Sequence, residues 1–217
     1  MSEFLFDKLK DEFGKKGIEK QEFYKFISEN LNPKFELRKY QIEAFKRFFL
    51  YYENSATEYV KTNHICFNMA TGSGKTLIMA GLILYLYQKG YRNFLFFVNR
   101  SQIVEKTKDN FINKSSSKFL FNQKIKFDSK IIKINSVTNF ECVNDDDINI
   151  CFTTVQGLFS DINNQKENSL TLDDFKDKKI VLIADEAHHI NAATKNSLFD
   201  KTPSWENTVD KIYKRQI

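Results

Sequence analysis

A chain of 217 residues, 41% hydrophobic and 28% charged, has an ordinary globular composition, which excludes both a wholly disordered chain and a long multidomain assembly. The formal net charge of +5 permits a polyanionic partner without demanding one, and is weaker than that of a dedicated nucleic-acid binder. The three cysteines, Cys66, Cys142 and Cys151, form no C-x-x-C pair. With Cys66 and Cys151 inside apolar runs, they read as reduced, buried thiols of a cytoplasmic protein, not as a zinc site or a secreted disulfide scaffold.

The first residues, MSEFLFDKLKDEF, are charged throughout and do not form a signal peptide. Residues 1–31 read as two short amphipathic helices broken at Gly14 and Gly17, with Phe6, Leu9 and Phe13 and then Phe23, Phe26, Ile27 and Leu31 at helical spacing. Pro33 ends this segment, which we take to residue 35 as a helical cap on the main core; a partner-docking element is the alternative. Residues 37–53 carry a stronger helical stripe of Ile42, Phe45, Phe49 and Tyr52. After a polar loop, short apolar runs at 65–68, 94–98, 131–134, 148–152 and 180–184 alternate with helical patterns. Continuous apolar strands separated by helices predict a parallel sheet covered on both faces, a three-layer α/β domain. The longest apolar run, 77–87, is too short to span a bilayer and reads as a buried helix, so no membrane partner is expected. Residues 114–129, rich in Ser and Lys, read as a surface excursion. Residues 144–147 read as an acidic turn, and 163–177 as a long polar connector.

Met69-Ala70-Thr71-Gly72-Ser73-Gly74-Lys75-Thr76 stands between the 65–68 run and the 77–87 helix, which is the strand–loop–helix setting that a phosphate-binding loop requires. Gly72 and Gly74 let the backbone curl so that successive N–H groups, those of Thr71 and Ser73 included, converge on phosphate oxygens. The helix N-terminus adds partial positive charge. Lys75 reaches the β- and γ-phosphates and the Thr76 hydroxyl ligates Mg²⁺. Met69 stands where the usual first glycine would be. Downstream, the apolar run 180–184 delivers Asp185 and Glu186 to a strand end, where ligands of open α/β sheets bind. Asp185 is placed to hold Mg²⁺ partly through water, and Glu186 to polarise the attacking water as general base.

ATGSGKT followed by DEAH resembles the superfamily 2 helicases and translocases. LRKYQIEAF, NMATGSGKT, FFVNRSQI, TTVQGL, IADEAHHI and SWENTVDKIYK together resemble the motor subunit of type III restriction enzymes over residues 36–217. Residues 1–35 contribute nothing to the likeness. The resemblance implies a RecA-like ATP-binding lobe with ATP and Mg²⁺ as cofactors. It implies double-stranded DNA and a modification (methyltransferase) subunit as partners. It makes Gln41, with Arg38 and Tyr40 beside it, the element that reads adenine; from residue type alone, Arg38 and Gln41 also read as the solvated face of their helix. Arg100 becomes a phosphate contact, Thr153, Thr154 and Gln156 contact the nucleic-acid backbone, and His188 couples the nucleotide site to a second lobe. Ser101 also reads as a helix cap, and Thr153 with Gln156 as a Thr-x-x-Gln capping box.

In the resembled motor a second lobe supplies arginine fingers. A Ser/Thr-Ala-Thr strand also inserts between the phosphate-loop strand and the DEAH strand. Neither a second lobe nor that element follows DEAH before residue 217, where a helix pattern at 205–216 ends. The sequence therefore reads as the N-terminal part of a larger protein, with slow turnover expected of the chain alone. The alternatives are a lobe of another superfamily 2 DNA or RNA helicase, and a catalytically silent nucleotide-binding remnant.

Overall fold

The structure, a computed structural model, describes residues 4–55, 65–164, 167–176, 178–185 and 212. Its centre is strand β1 (Asn93–Val98, NFLFFV), every residue of which is buried. Such a strand needs apolar cover on both sides, and the side-chain period of two divides the cover into two cores. Phe94, Phe96 and Val98 join one core with helices α4 (Lys75–Gln88) and α5 (Ser101–Ile112). Leu95 and Phe97 join the other with helix α6 (Val155–Asn163), Phe175 and Ile212. The result is helix–sheet–helix layering, the predicted three-layer α/β domain.

The main sheet also contains β4 (Ile134–Val137), β5 (Ile148–Thr154) and β6 (Ile180–Ala184), in the order β4-β5-β1-β6, with every neighbouring pair parallel. The register sets Val98 beside Thr154 and Phe97 beside Ala184. β6 closes the sheet on its side among the described residues.

Two expected strands are corrected. Residues 65–68 are not a strand: the segment runs irregularly into the glycine-rich loop and has no ladder with β6. The 131–134 run is split between two sheets. Its first half belongs to β3 (Lys130–Ile132), antiparallel to β2 (Ile125–Phe127), and its last residue opens β4. The break falls at Lys133, whose N–H donates to the Asp147 carboxylate at 2.9 Å while its carbonyl accepts from Ile148. Ile131 is consequently 61% exposed.

The N-terminal segment is α1 (Leu5–Lys20) and α2 (Lys25–Asn30). The break in α1 is at Gly14 alone, at φ 65°, where a residue with a side chain would be strained; Gly17 stays within the helix. Ile27 and Leu31 are fully buried in the core that also covers β1. Residues 114–129 are not a surface excursion. Phe119, Phe121, Ile125 and Phe127 are all buried. Leu31 bridges to Phe121, and Asn30 closes the contact by donating to the Lys126 carbonyl and accepting from the Lys126 N–H. The expectation of buried thiols holds for Cys151, whose burial pushes its pKa up to about 12, and fails for Cys66 and Cys142, which are exposed. All three are free thiols.

Helix α3 (Lys39–Ser55) joins these parts. Phe45 and Phe49 of the predicted stripe are fully buried, with Ile42 and Tyr52 partly so. The Phe49 and Tyr85 rings stack with centroids 4.3 Å apart, and Phe45 lies so close to α4 that a Cβ on Gly81 would meet its ring at 2.4 Å. One carboxylate oxygen of Glu53 accepts from Tyr24, Tyr85 and Lys89 at 2.7, 2.9 and 2.9 Å, linking α2, α3 and α4. Burial pushes the Glu53 carboxyl up, but these three hydrogen bonds and the Lys89 charge outweigh it and hold the group below its ordinary value. Burial and the same carboxylate push the Tyr24 phenol up to about 12.

The stabilisation from ionised Glu53 is therefore present above the ordinary Glu value of about 4.3 and is lost as pH falls through the lowered folded value. Glu53→Ala strands the buried Tyr85 hydroxyl, at a cost of about 2 kcal/mol. We expect the melting temperature to drop by roughly 4–8 °C at neutral pH for a domain of this size. The gap to wild type should shrink in acid, as thermal melts between neutral and acidic pH will show.

Past the end of α4, Gly90 takes φ 94°; Tyr91 N–H bonds to the Leu86 carbonyl and Gly90 N–H to that of Tyr87, the pairing of a Schellman motif. This turn feeds the C-terminal end of α4 into the N-terminal end of β1. The helix therefore runs counter to the strand, and its N-terminus points toward the C-terminal ends of the strands.

Candidate nucleotide-binding site

The loop before α4 has the curled backbone expected from its glycines. Gly72 is at φ 77° and Gly74 at φ 85°. Gly72 has open space where a Cβ would stand, whereas a Cβ on Gly74 would strike the Gln41 amide at 2.5 Å. Ser73 closes the turn on the Ala70 carbonyl with its N–H at 3.2 Å and its hydroxyl at 2.6 Å. Gly74 is the residue before the helix, and no side chain caps it. The first turn of any helix leaves N–H groups without intrahelical acceptors, so this end suits an anion. Lys75 opens α4 and folds back over the loop, its Nζ donating to the Met69 carbonyl at 3.3 Å. Thr76 follows it, half-buried, and Thr71 is exposed on the loop.

The start of α3 is fastened to this loop. Tyr40 Oη and Gln41 Nε2 both donate to the Ser73 carbonyl, at 2.8 and 2.9 Å, and Gln41 Oε1 accepts from the Arg38 N–H at 2.9 Å. Gln41 is only 3% exposed, so in this structure it acts as a strut between helix and loop. Its amide keeps one further hydrogen and its carbonyl one further lone pair. Arg38 is exposed, with its guanidinium 3.4 Å from Tyr40 Oη.

The other described residues gather at one edge of the sheet. Asp185 follows β6 directly, and its N–H donates to the Phe97 carbonyl at 3.3 Å. Arg100 lies two residues past the end of β1 and is exposed. Thr154 ends β5 opposite Val98. The C-terminal ends of β5, β1 and β6 thus bring Thr154, Arg100 and Asp185 to adjacent strand ends, the edge toward which the α4 N-terminus points. Glu186 and His188 lie outside the described residues, as does the 205–216 helix pattern except for Ile212, which is buried.

Two capping expectations are corrected. Ser101 does not cap α5; it is the first helical residue, preceded by Arg100 in extended conformation. The cap of α6 is Thr154, not Thr153: Thr154 Oγ1 accepts from the Gly157 N–H at 2.9 Å. The Thr-x-x-Gln register is therefore off by one. A Cβ on Gly157 would meet Thr153 Oγ1 at 2.7 Å, so a larger residue there displaces the Thr153 side chain. Gln156 is exposed on the first turn. Sequence reasoning also missed the tether from Tyr40 to Ser73; the available signal was an aromatic hydroxyl between Arg38 and Gln41 with no apolar stripe to join. Among the described residues no cluster of His, Cys, Asp and Glu forms a ready metal site, and no helix is long and apolar enough to cross a membrane.

A parallel sheet with a glycine-curled loop at a helix N-terminus and a carboxylate at a neighbouring strand end defines a RecA-like α/β domain of helicase type. Comparison with known proteins agrees. The family described as "Type III restriction enzyme, res subunit" matches residues 34–217, and the chain belongs to that family. It is 44% identical over 184 residues to the "Probable type III restriction-modification enzyme HindVIP Res subunit" of Haemophilus influenzae (strain ATCC 51907 / DSM 11121 / KW20 / Rd). That match covers 82% of this chain and 36% of the relative, so the chain spans about a third of the relative's length. No solved structure matches.

Proposed function

We propose that residues 36–217 form the ATP-binding first lobe of a DNA-translocating motor, with residues 1–35 as its helical N-terminal segment. In the full-length protein, hydrolysis of Mg-ATP drives movement on double-stranded DNA in concert with a methyltransferase modification subunit. The observation that carries this reading is the loop 71–76: two left-handed glycines deliver Lys75 and Thr76 to the start of α4, and Asp185 follows β6 at the C-terminal edge of the sheet. The residues fit the ligand. The open space at Gly72 admits a phosphate, Lys75 meets its charge, and Thr76 with Asp185 would hold Mg²⁺. When bound, ATP supplies the phosphoanhydride that is cleaved.

The chain's own residues do the remaining work. Lys75 already lies over the loop, its Nζ on the Met69 carbonyl, within reach of phosphate oxygens bound there. Gln41 and Tyr40 keep the loop in its curled state through Ser73, so that the N–H groups are aimed before nucleotide arrives. Glu186 acts as general base toward the attacking water, and His188 relays the state of the site to the second lobe. Arg38 and Gln41 stand at the base-reading side. Arg100, Thr153, Thr154 and Gln156 mark the DNA track, where a hydroxyl and a helix N-terminus suit phosphates.

DNA binding by the 217-residue chain is expected to be weak, salt-sensitive and without sequence preference. Net charge is only +5, and a few phosphate contacts give a slope of roughly −0.9 per contact in log affinity against log salt. Anisotropy titrations at several salt concentrations measure this slope. ATPase assays on full-length protein test the functional reading itself. Stimulation by double-stranded DNA supports it. Stimulation by RNA alone makes this the lobe of another superfamily 2 helicase. ATP binding with no turnover under any nucleic acid makes it a silent remnant.

A further inference from the structure

Away from the nucleotide loop, a groove of about 510 Å³ runs between α1 and α3. Its floor is apolar: Ile18 is buried, Ile42 is half-buried, and Phe6 is 53% exposed. Five cations line it, Lys10, Lys15, Lys39, Lys46 and Arg47, against two carboxylates, Glu19 and Glu43. Both carboxylates are already matched. Glu43 takes Arg47 at 2.7 Å, and Glu19 pairs with Lys15 at 4.0 Å. Lys46 donates to the Glu19 main-chain carbonyl, which satisfies a hydrogen bond but leaves its charge uncompensated. Lys10 and Lys39 are exposed and meet no hydrogen-bond or ion-pair partner among the described residues. Phe4, 77% exposed, extends the apolar surface at the start of α1.

We infer that this groove docks an acidic amphipathic segment of a protein partner, its aliphatic side chains on Ile18, Ile42 and Phe6 and its carboxylates on Lys10, Lys39 and Lys46. Apolar surface rimmed by polar residues marks such sites, and the excess positive charge fixes the sign of the ligand. A nucleic-acid strand fits the groove less well. Single strands bind largely by stacking bases on aromatic faces, and Phe6 is the one aromatic side chain among the described residues that line the groove, with one of its faces taken by the Arg47 guanidinium at 3.9 Å. Ile18 and Ile42 offer no stacking surface. The inference does not depend on the nucleotide site: Lys39, Ile42, Glu43 and Lys46 line the groove at i, i+3, i+4 and i+7 of α3, whereas Tyr40 and Gln41 of the same first turn bind the loop.

The test uses the whole 217-residue chain and a fluorescein-labelled 14-residue peptide with Leu at every third or fourth position and Glu or Asp between. Saturable binding should weaken at least tenfold in Lys10→Glu/Lys39→Glu, since two exposed ion pairs become two like-charge contacts. The same protein should melt at the wild-type temperature and bind ATP unchanged. Lys124→Glu/Lys126→Glu alters net charge equally on the exposed β2 side and should leave peptide affinity within about twofold, as screened distant charges do. Phe6→Ala should weaken the peptide without altering its salt dependence. If the charge-reversed pair fails to fold, Lys10→Gln/Lys39→Gln carries the same test with a smaller loss. Equal loss in both lysine pairs, no loss in the groove pair, or tighter groove binding by a 14-nucleotide single strand than by the peptide would overturn the inference.

Discussion

Glu186→Gln in the full-length protein is expected to bind Mg-ATP with wild-type affinity and to hydrolyse it ~10²–10⁴-fold more slowly, the usual loss on removing a general base. The amide is nearly isosteric with the carboxyl, so neither the strand end at Ala184 nor the neighbouring Asp185 should move. What disappears is the capacity to accept a proton from the attacking water. Asp185→Asn should behave differently: if Asp185 holds Mg²⁺ as proposed, the change removes charge from beside the metal and weakens binding of Mg-ATP as well. Single-turnover kinetics separate the two effects, since they report the chemical step independently of product release. A Glu186→Gln enzyme with the wild-type single-turnover rate would place the base at another residue.

The second large effect is at Lys75. In the proposed site Lys75→Ala removes the loop's own positive charge from beside the triphosphate, and charge-assisted hydrogen bonds are worth about 1.5–3 kcal/mol. Affinity for ATP should fall about 10- to 150-fold. The substitution suits the backbone: Ala is the strongest helix former, and Lys75 is the first helical residue. The curl of Gly72 and Gly74, the tether from Tyr40 and the strut of Gln41 do not depend on the ammonium. A fluorescent ATP analogue titrated against both proteins reads the difference, and equal affinities would remove the phosphate-loop assignment.

The parallel sheet was legible because each of its long strands is a short apolar run ending in a polar signal. The 180–184 run coincides with β6, and the 94–98 and 148–152 runs lie within β1 and β5. The loop was legible because glycine is the residue that takes positive φ without strain, and Gly72 and Gly74 do so. The misreadings have physical causes. Phe119, Phe121, Ile125 and Phe127 recur at the period of a strand, but Asn122, Gln123, Lys124 and Lys126 between them lower the average hydropathy, and nothing local shows that Asn30 will close the contact from ninety-six residues away. The split of the 131–134 run depends on Asp147, which is remote in sequence and reads alone as part of a polar turn. Thr153 and Thr154 are equally good caps by residue type; the choice fell to Thr154 because the strand runs two residues further than its apolar part. For Gln41, residue type left two readings open, and the structure adds a third, a buried strut on Ser73 that composition and periodicity do not reveal.

The central claim is that loop 71–76 and the start of α3 together hold ATP. Hydrogen exchange on the 217-residue chain, with and without saturating Mg-ATP, tests it most directly. Amides of residues 70–77 should slow strongly, those of 38–42 should slow with them through the Ser73 link, and the effect should vanish in Lys75→Ala at the same nucleotide concentration. Unchanged exchange across 70–77 at saturating Mg-ATP, or protection confined to another surface such as the α1–α3 groove, would contradict the account.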